Sequence, residues 1–362
     1  MKTEQMSNTI VKSRKRIKPR WTVTICAFVI LFLIAPTVIA IIVHNQGANM
    51  RVDSPTISRW LRYEDVEGYP RRLTNFYSGG NRLQAYVYGE HNDKGLIVIS
   101  HGLGWGAERY FVETMYFVDN GWRVFMYNNT GTHSSEGRGT RGLPQAVLDL
   151  DAALTYIANQ NWDIPIKLYG HSWGGYAVAA VLSKGHDISA VVSLAAFATP
   201  MGVMLEVARD YIGLGFIATF SYPHLWVYHR LRFGQHAGLC AIDGINSVNV
   251  PVKVIHGTED HFISYNGASI IAQRDRVTNP NVLFVSQSSP HQNGHSNLWR
   301  DSDAVVFMYE VDAILDNKLD YYGGEIPYES RAAFYTEIRN RVSAIDIEFM
   351  NMINEFFERH LN

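Results

Sequence analysis

Six short, predominantly apolar runs constrain this chain more than any other feature of its sequence. They cover residues 95–102, 122–127, 166–169, 190–194, 252–255 and 282–285, and helical stretches separate them. An apolar run of that length without polar alternation fits a strand buried on both faces, as in a parallel sheet covered by helices. The alternation therefore predicts an α/β architecture with a mostly parallel central sheet. Two earlier segments, 73–77 and 83–88, flank Ser-Gly-Gly-Asn and predict a hairpin that gives the sheet an antiparallel edge. Pro144 opens a helical stretch in which Val147, Leu150, Leu154 and Ile157 share one face.

With 362 residues, 47% of them apolar, the chain has ample material for a large core. The formal net charge of −2 hides an asymmetry: residues 1–20 carry seven Lys or Arg against one Glu, leaving the remainder near −8. A body so charged offers no basic face to a polyanion, which argues against a nucleic-acid partner. Cys26 lies in an apolar segment far from Cys240, so no intramolecular disulfide is expected, and no Cys/His spacing suggests a metal.

Residues 21–43 carry no charge, and at about 1.5 Å per residue they would cross a hydrocarbon layer of roughly 30 Å. The stretch exceeds a signal peptide's apolar core of about 7 to 15 residues, and no good small-x-small cleavage site follows it. The basic block from Lys12 to Arg20 precedes it, which by the positive-inside rule keeps the N-terminus cytoplasmic. The expected order is a basic tail at 1–20, a transmembrane anchor at 21–43, a juxtamembrane linker at 44–71 and an extracytoplasmic domain at 72–362.

Chemistry concentrates where runs end in glycine. Gly170-His-Ser172-Trp-Gly174 stands between a predicted strand and an Ala-rich helix, a context in which the glycines permit a turn tight enough to present the serine hydroxyl. The following helix would aim its N-terminal amides at charge developing beside Ser172. The Trp173 amide is one expected oxyanion donor; the Leu103 amide, in the loop after His101-Gly102, is the expected second, with the Gly104 amide as the alternative. A serine needs a base, and the base an anionic partner. Asp260, at the end of the run 252–255, is the expected acid, with Glu259 as its competitor. His295, in Gly294-His295-Ser, is the expected base, with His291 as the alternative. His101 and His171 are read as loop supports, and His133 and His261 as solvated loop residues.

In this order, His101-Gly102, Gly170-His-Ser-Trp-Gly-Gly175, Gly257-Thr-Glu-Asp260 and Gly294-His295 resemble the α/β-hydrolase superfamily, and most of all its monoacylglycerol lipase-like and serine aminopeptidase-like branch. The resemblance spans roughly residues 72–300 and the final helix. It implies a Ser172–Asp260–His295 triad, acyl transfer to Ser172, hydrolysis by water and no cofactor. It also implies a lid in the insertion at about 197–248, rich in Met201, Met204, Phe216, Phe220, Trp226 and Tyr228. The expected substrate is a carboxylic ester, a lipid-derived one in view of the anchor and the insertion. A peptidase or amidase with the same triad and a non-catalytic binding protein are the competing readings.

Two stretches depart from the pattern. Asn128 and Asn129 stand where many relatives carry charges, so that loop must be supported differently. About 45 residues, 301–343, precede a closing amphipathic helix marked by Ile347, Met350, Ile353 and Phe357, and are expected to pack peripherally.

Overall fold

The structure, a computed structural model, describes residues 19–211 and 215–361. Most of the basic tail thus lies outside the described residues. The helices are α1 (Pro19–Val29), α2 (Ala35–Ala48), α3 (Phe111–Asp119), α4 (Gln145–Ala158), α5 (Trp173–Ala180), α6 (Pro200–Glu206), α7 (Gly215–Phe233), α8 (Ala241–Asn246), α9 (Ser302–Tyr321), α10 (Tyr328–Val342) and α11 (Ile347–Glu358). The strands are β1 (Arg71–Ser78), β2 (Asn81–Tyr88), β3 (Leu96–Ser100), β4 (Arg123–Tyr127), β5 (Ile166–His171), β6 (Ala190–Leu194), β7 (Val252–Gly257) and β8 (Val282–Gln287). They form one sheet of eight strands in the order β1-β2-β4-β3-β5-β6-β7-β8. β1, β2 and β4 pair antiparallel along that edge, and every other pairing is parallel.

All five residues of β3 and of β6 are buried, as predominantly apolar runs require. Successive side chains face opposite layers. Ile97, Ile99, Tyr169, Val192 and Ile255 join the core shared with α3 and α11. Val98, Leu168, Val191 and Val254 join the core shared with α4, α5 and α8. The outer strand β8 is only half-buried, so its apolar run reflects an edge and not a two-sided burial. In α4 the expected stripe of Val147, Leu150, Leu154 and Ile157 is buried. In α11 Met350, Ile353 and Phe357 are buried as expected, joined by Phe349 and Phe356, while Ile347 is exposed at the first turn, which Asp346 caps by accepting from the Phe349 amide.

The apolar N-terminal segment is helical from Pro19 to Ala48, with a π-helical stretch at Ile30–Ile34. Pro36 explains that irregularity, because it lacks an amide hydrogen and its ring crowds the carbonyl four residues earlier. Residues 21–48 form a helix long and apolar enough to cross a membrane, by length and composition.

Residues 44–71, expected as a linker outside the fold, are instead built into it. The Val52 amide donates to Gly131 O at 3.0 Å, the Leu61 amide to Ser343 Oγ at 2.8 Å, and Trp60 packs beside the guanidinium groups of Arg109 and Arg300. These are single attachments without periodicity, which no sequence pattern reveals. α9 and α10 form a hairpin around Val311, Ile338 and Val342, against which Trp60 also packs.

Candidate active site

Ser172 sits between β5 and α5 with φ 57° and ψ −115°, a region that non-glycine residues rarely occupy. Its amide donates to Leu194 O at 2.8 Å, and its carbonyl accepts from the Tyr176 amide at 2.9 Å, so the strained turn is gripped from both sides. The flanking glycines are required by space. A Cβ at Gly174 would lie 1.9 Å from Ser100 O, and one at Gly170 would lie 2.3 Å from Gly174 O. At Gly175 the Ala196 methyl stands 2.8 Å away.

The structure brings the three side chains singled out in the sequence into one hydrogen-bonded chain. Nε2 of His295 is 3.0 Å from Ser172 Oγ, and its Nδ1 is 2.8 Å from Asp260 Oδ2. The other oxygen of Asp260 accepts from the amides of Phe262 and Ile263 at 2.9 and 2.8 Å. Burial alone would raise the Asp260 pKa, but hydrogen bonds from His256 and His295 outweigh it and hold the carboxyl well below the usual range. An ionised Asp260 requires the proton of His295 on Nδ1, which leaves the Nε2 lone pair for the serine hydroxyl. Glu259 and His291, the competing residues, are both exposed and outside this chain.

A second chain joins the loop after β3 to the His295 loop. The Gly102 amide donates to Tyr110 Oη at 3.0 Å, the hydroxyl to His171 Nδ1 at 2.9 Å, and His171 Nε2–H to the His295 carbonyl at 2.8 Å. Each group can donate once in one direction if His171 is neutral. Burial lowers its pKa well below the ordinary value, which keeps it so. His171 also stacks on Trp105, with ring centroids 5.3 Å apart. His101 accepts from the Asn129 amide through Nε2 at 3.0 Å, and Asn128 Oδ1 accepts from the Ala107 amide at 2.9 Å. Buried Asp149 accepts from the Thr130 amide at 2.7 Å and from Gln145 and Ser78. Neutral asparagines and one interior carboxylate thus support the loop that departs from the family pattern. His133 is half-buried and His261 exposed.

Sequence reasoning did not find Tyr110, Asp149 or His256. Tyr110 lies eight residues beyond the loop it supports, Asp149 is on a helix, and His256 lies within a buried strand; none belongs to a motif.

A family model described as serine aminopeptidase, S33, matches residues 91–234, a segment that contains Ser172 and ends before Asp260. The uncharacterized protein YqkD of Bacillus subtilis is 22% identical over 246 residues, covering 67% of this chain and 77% of its own. Crystal structures of the Pyrococcus furiosus esterase Pf2001 in two space groups superpose with TM-scores of 0.52 and 0.51 at 17% identity. The first covers 76% of this chain and 99% of the esterase. The chain has the α/β-hydrolase fold.

A cavity of about 410 Å³ opens over Ser172. Leu103 and Trp173, whose amides are the expected oxyanion donors, line it with the serine. α6 and the turn after it contribute Val203, Met204, Val207 and Ala208, and the loop after β7 contributes Phe262 and Ile263. No charged side chain lines the cavity among the described residues. No cluster of three or more His, Cys, Asp or Glu residues suited to a metal occurs among them either.

Proposed function

We propose that this protein is a membrane-anchored serine hydrolase that cleaves carboxylic esters, lipid-derived ones foremost, through an acyl-enzyme on Ser172. The observation that carries this reading is the 3.0 and 2.8 Å chain from Ser172 through His295 to Asp260 at the floor of an uncharged, apolar cavity. Ser172 Oγ attacks the ester carbonyl carbon while His295 Nε2 takes its proton, and Asp260 stabilises the imidazolium. The oxyanion faces the Leu103 and Trp173 amides. As the bond to the alkoxide breaks, His295 returns the proton to the leaving oxygen. Water, deprotonated by His295, then adds to the acyl carbon, and Ser172 leaves with that proton.

In the same reading, the apolar helix within 21–48 is retained as the anchor, residues 197–248 form a lid, and the catalytic body from residue 72 is extracytoplasmic. Support for the anchor is the length and exposed apolar surface of the helix; the topology rests on the basic residues that precede it.

The serine aminopeptidase description favours a second reading, amide cleavage by the same residues. An aminopeptidase must hold an α-ammonium, for which a carboxylate is the natural partner, and the cavity wall supplies none among the described residues. Ester cleavage needs no such charge, and the related Pyrococcus protein is itself named an esterase. Turnover of p-nitrophenyl esters against aminoacyl p-nitroanilides by the full chain in detergent separates the readings. Preference for esters, lost in Ser172→Ala, is expected; preference for the anilides would overturn the ester reading, and a folded wild type inert to both would indicate a binding protein.

A further inference from the structure

The N-terminal helix does more than precede the hydrolase body. Along α2 the residues Pro36, Ala40, His44 and Ala48, spaced by four, form a buried stripe. Three of the four are small or compact, which lets α2 approach the body and α7 closely. Polar links fix its rotation: His44 Nε2–H donates to Arg141 O at 3.0 Å, and His44 Nδ1 is 3.0 Å from His229 Nε2 on α7. Thr37 Oγ1 is 3.0 Å from His224 Nδ1 on the same helix. At the end of α2, the Thr140 hydroxyl donates to Ala48 O at 2.9 Å and the Arg141 amide to Asn49 Oδ1 at 2.9 Å.

With that stripe clamped, helical geometry turns the neighbouring face, about 100° around, in a fixed direction. It carries Ile39, Val43 and Gly47, and all three line the cavity over Ser172, together with Ile42 and Gln46. The wall opposite the sheet-borne serine is therefore built in large part from the segment that otherwise reads as an anchor.

We propose that α2 is the acyl-chain wall of the active site and sets the length of acyl group the enzyme accepts. The proposal rests on the reading of Ser172 as an esterase nucleophile. The ligand it names is an unbranched fatty acyl group, because the wall offers methyl and methylene surface and a single amide, that of Gln46, without a charge. The anchor is then part of the enzyme: proteolytic removal of the helix would open the site as well as release the protein.

Gly47 provides the sharpest test, because a Cβ there meets no atom within 4 Å and φ is not in the left-handed region. A larger side chain at that position fills space without forcing the backbone. The experiment measures kcat/KM for p-nitrophenyl acetate, octanoate and laurate with the full chain in detergent, for wild type, Gly47→Phe and Ile42→Trp. In either variant the laurate-to-acetate ratio of kcat/KM should fall about tenfold or more. Ile42→Trp decides the matter if Gly47→Phe proves unstable. An unchanged ratio in variants that still hydrolyse acetate would overturn the wall while leaving the esterase intact. A wild type that hydrolyses none of the three esters would remove the esterase reading, and the wall with it.

Discussion

The two sides of the proposed site are held in different ways. On the sheet side, Ser172 is fixed by backbone against backbone, with no room for a methyl group at Gly170 or Gly174 and every strand residue of β3 and β6 buried. On the helical side, α2 and α7 meet along small residues and a few polar links, while Phe216 and Leu231 on α7 are 85% and 82% exposed. A close-packed backbone resists any change in volume, whereas a partly exposed helical wall yields by degrees. Substitutions beside the serine should therefore act abruptly on the reaction, and substitutions on the helices should change which substrate is preferred.

The largest effect is expected within the hydrogen-bonded chain itself. His295→Ala should lower kcat by about 10⁴-fold or more, and Asp260→Asn by roughly 10²- to 10⁴-fold, with thermal unfolding little changed in the first case. Stopped-flow release of p-nitrophenol measures both; near-normal turnover in His295→Ala would dissolve the distinction between the two sides.

Next is Gly174→Ala. Its Cβ would collide with the Ser100 carbonyl, a backbone atom that cannot rotate away, so a loss of about 3 kcal/mol or more is expected in denaturant unfolding. A variant as stable as wild type would mean that the elbow is looser than its geometry implies.

Acid should act through the sheet side as well. Burial lowers the His101 pKa to about 4, and the His171 pKa is lowered too, so between pH 6.5 and 4 the unfolded chain binds protons that the folded chain does not. Stability is then present above that window and is lost as the pH falls through it, by on the order of 3 kcal/mol for His101 alone. Asp260, whose folded pKa is depressed, adds its own loss only below about pH 4. Urea midpoints at pH 7 and 4.5 check the sign, and a midpoint that rises in acid would contradict it.

The smallest effect belongs to the exposed face of α7. Leu231→Gln should change stability by less than about 0.5 kcal/mol and leave acetate turnover intact. A large loss of stability would show that α7 is packed as tightly as the sheet, and would break the comparison.

The same contrast explains what was legible in the sequence. The sheet announced itself because strands buried on both faces are predominantly apolar, and the turn at Ser172 because only glycine fits beside it. Asp260 and His295 could be chosen because the ends of parallel strands gather on one edge of the sheet. The attachments of residues 49–61, the His44–His229 contact and the relay through Tyr110 and His171 left no such trace. Each joins residues distant in the chain through one polar pair, and one pair has no period. The use of α2 as a cavity wall was hidden for a further reason: the apolarity that suits a helix to a bilayer equally suits it to line an apolar cavity.

In the proposed reaction Ser172 Oγ is the atom that bonds to substrate. The direct measurement is peptide mass spectrometry of the full chain after reaction with a fluorophosphonate, which reports the residue that carries the phosphonyl adduct. One adduct is expected, on the peptide containing Ser172, with none formed in Ser172→Ala. An adduct on another residue, or labelling that persists undiminished in Ser172→Ala, would contradict it.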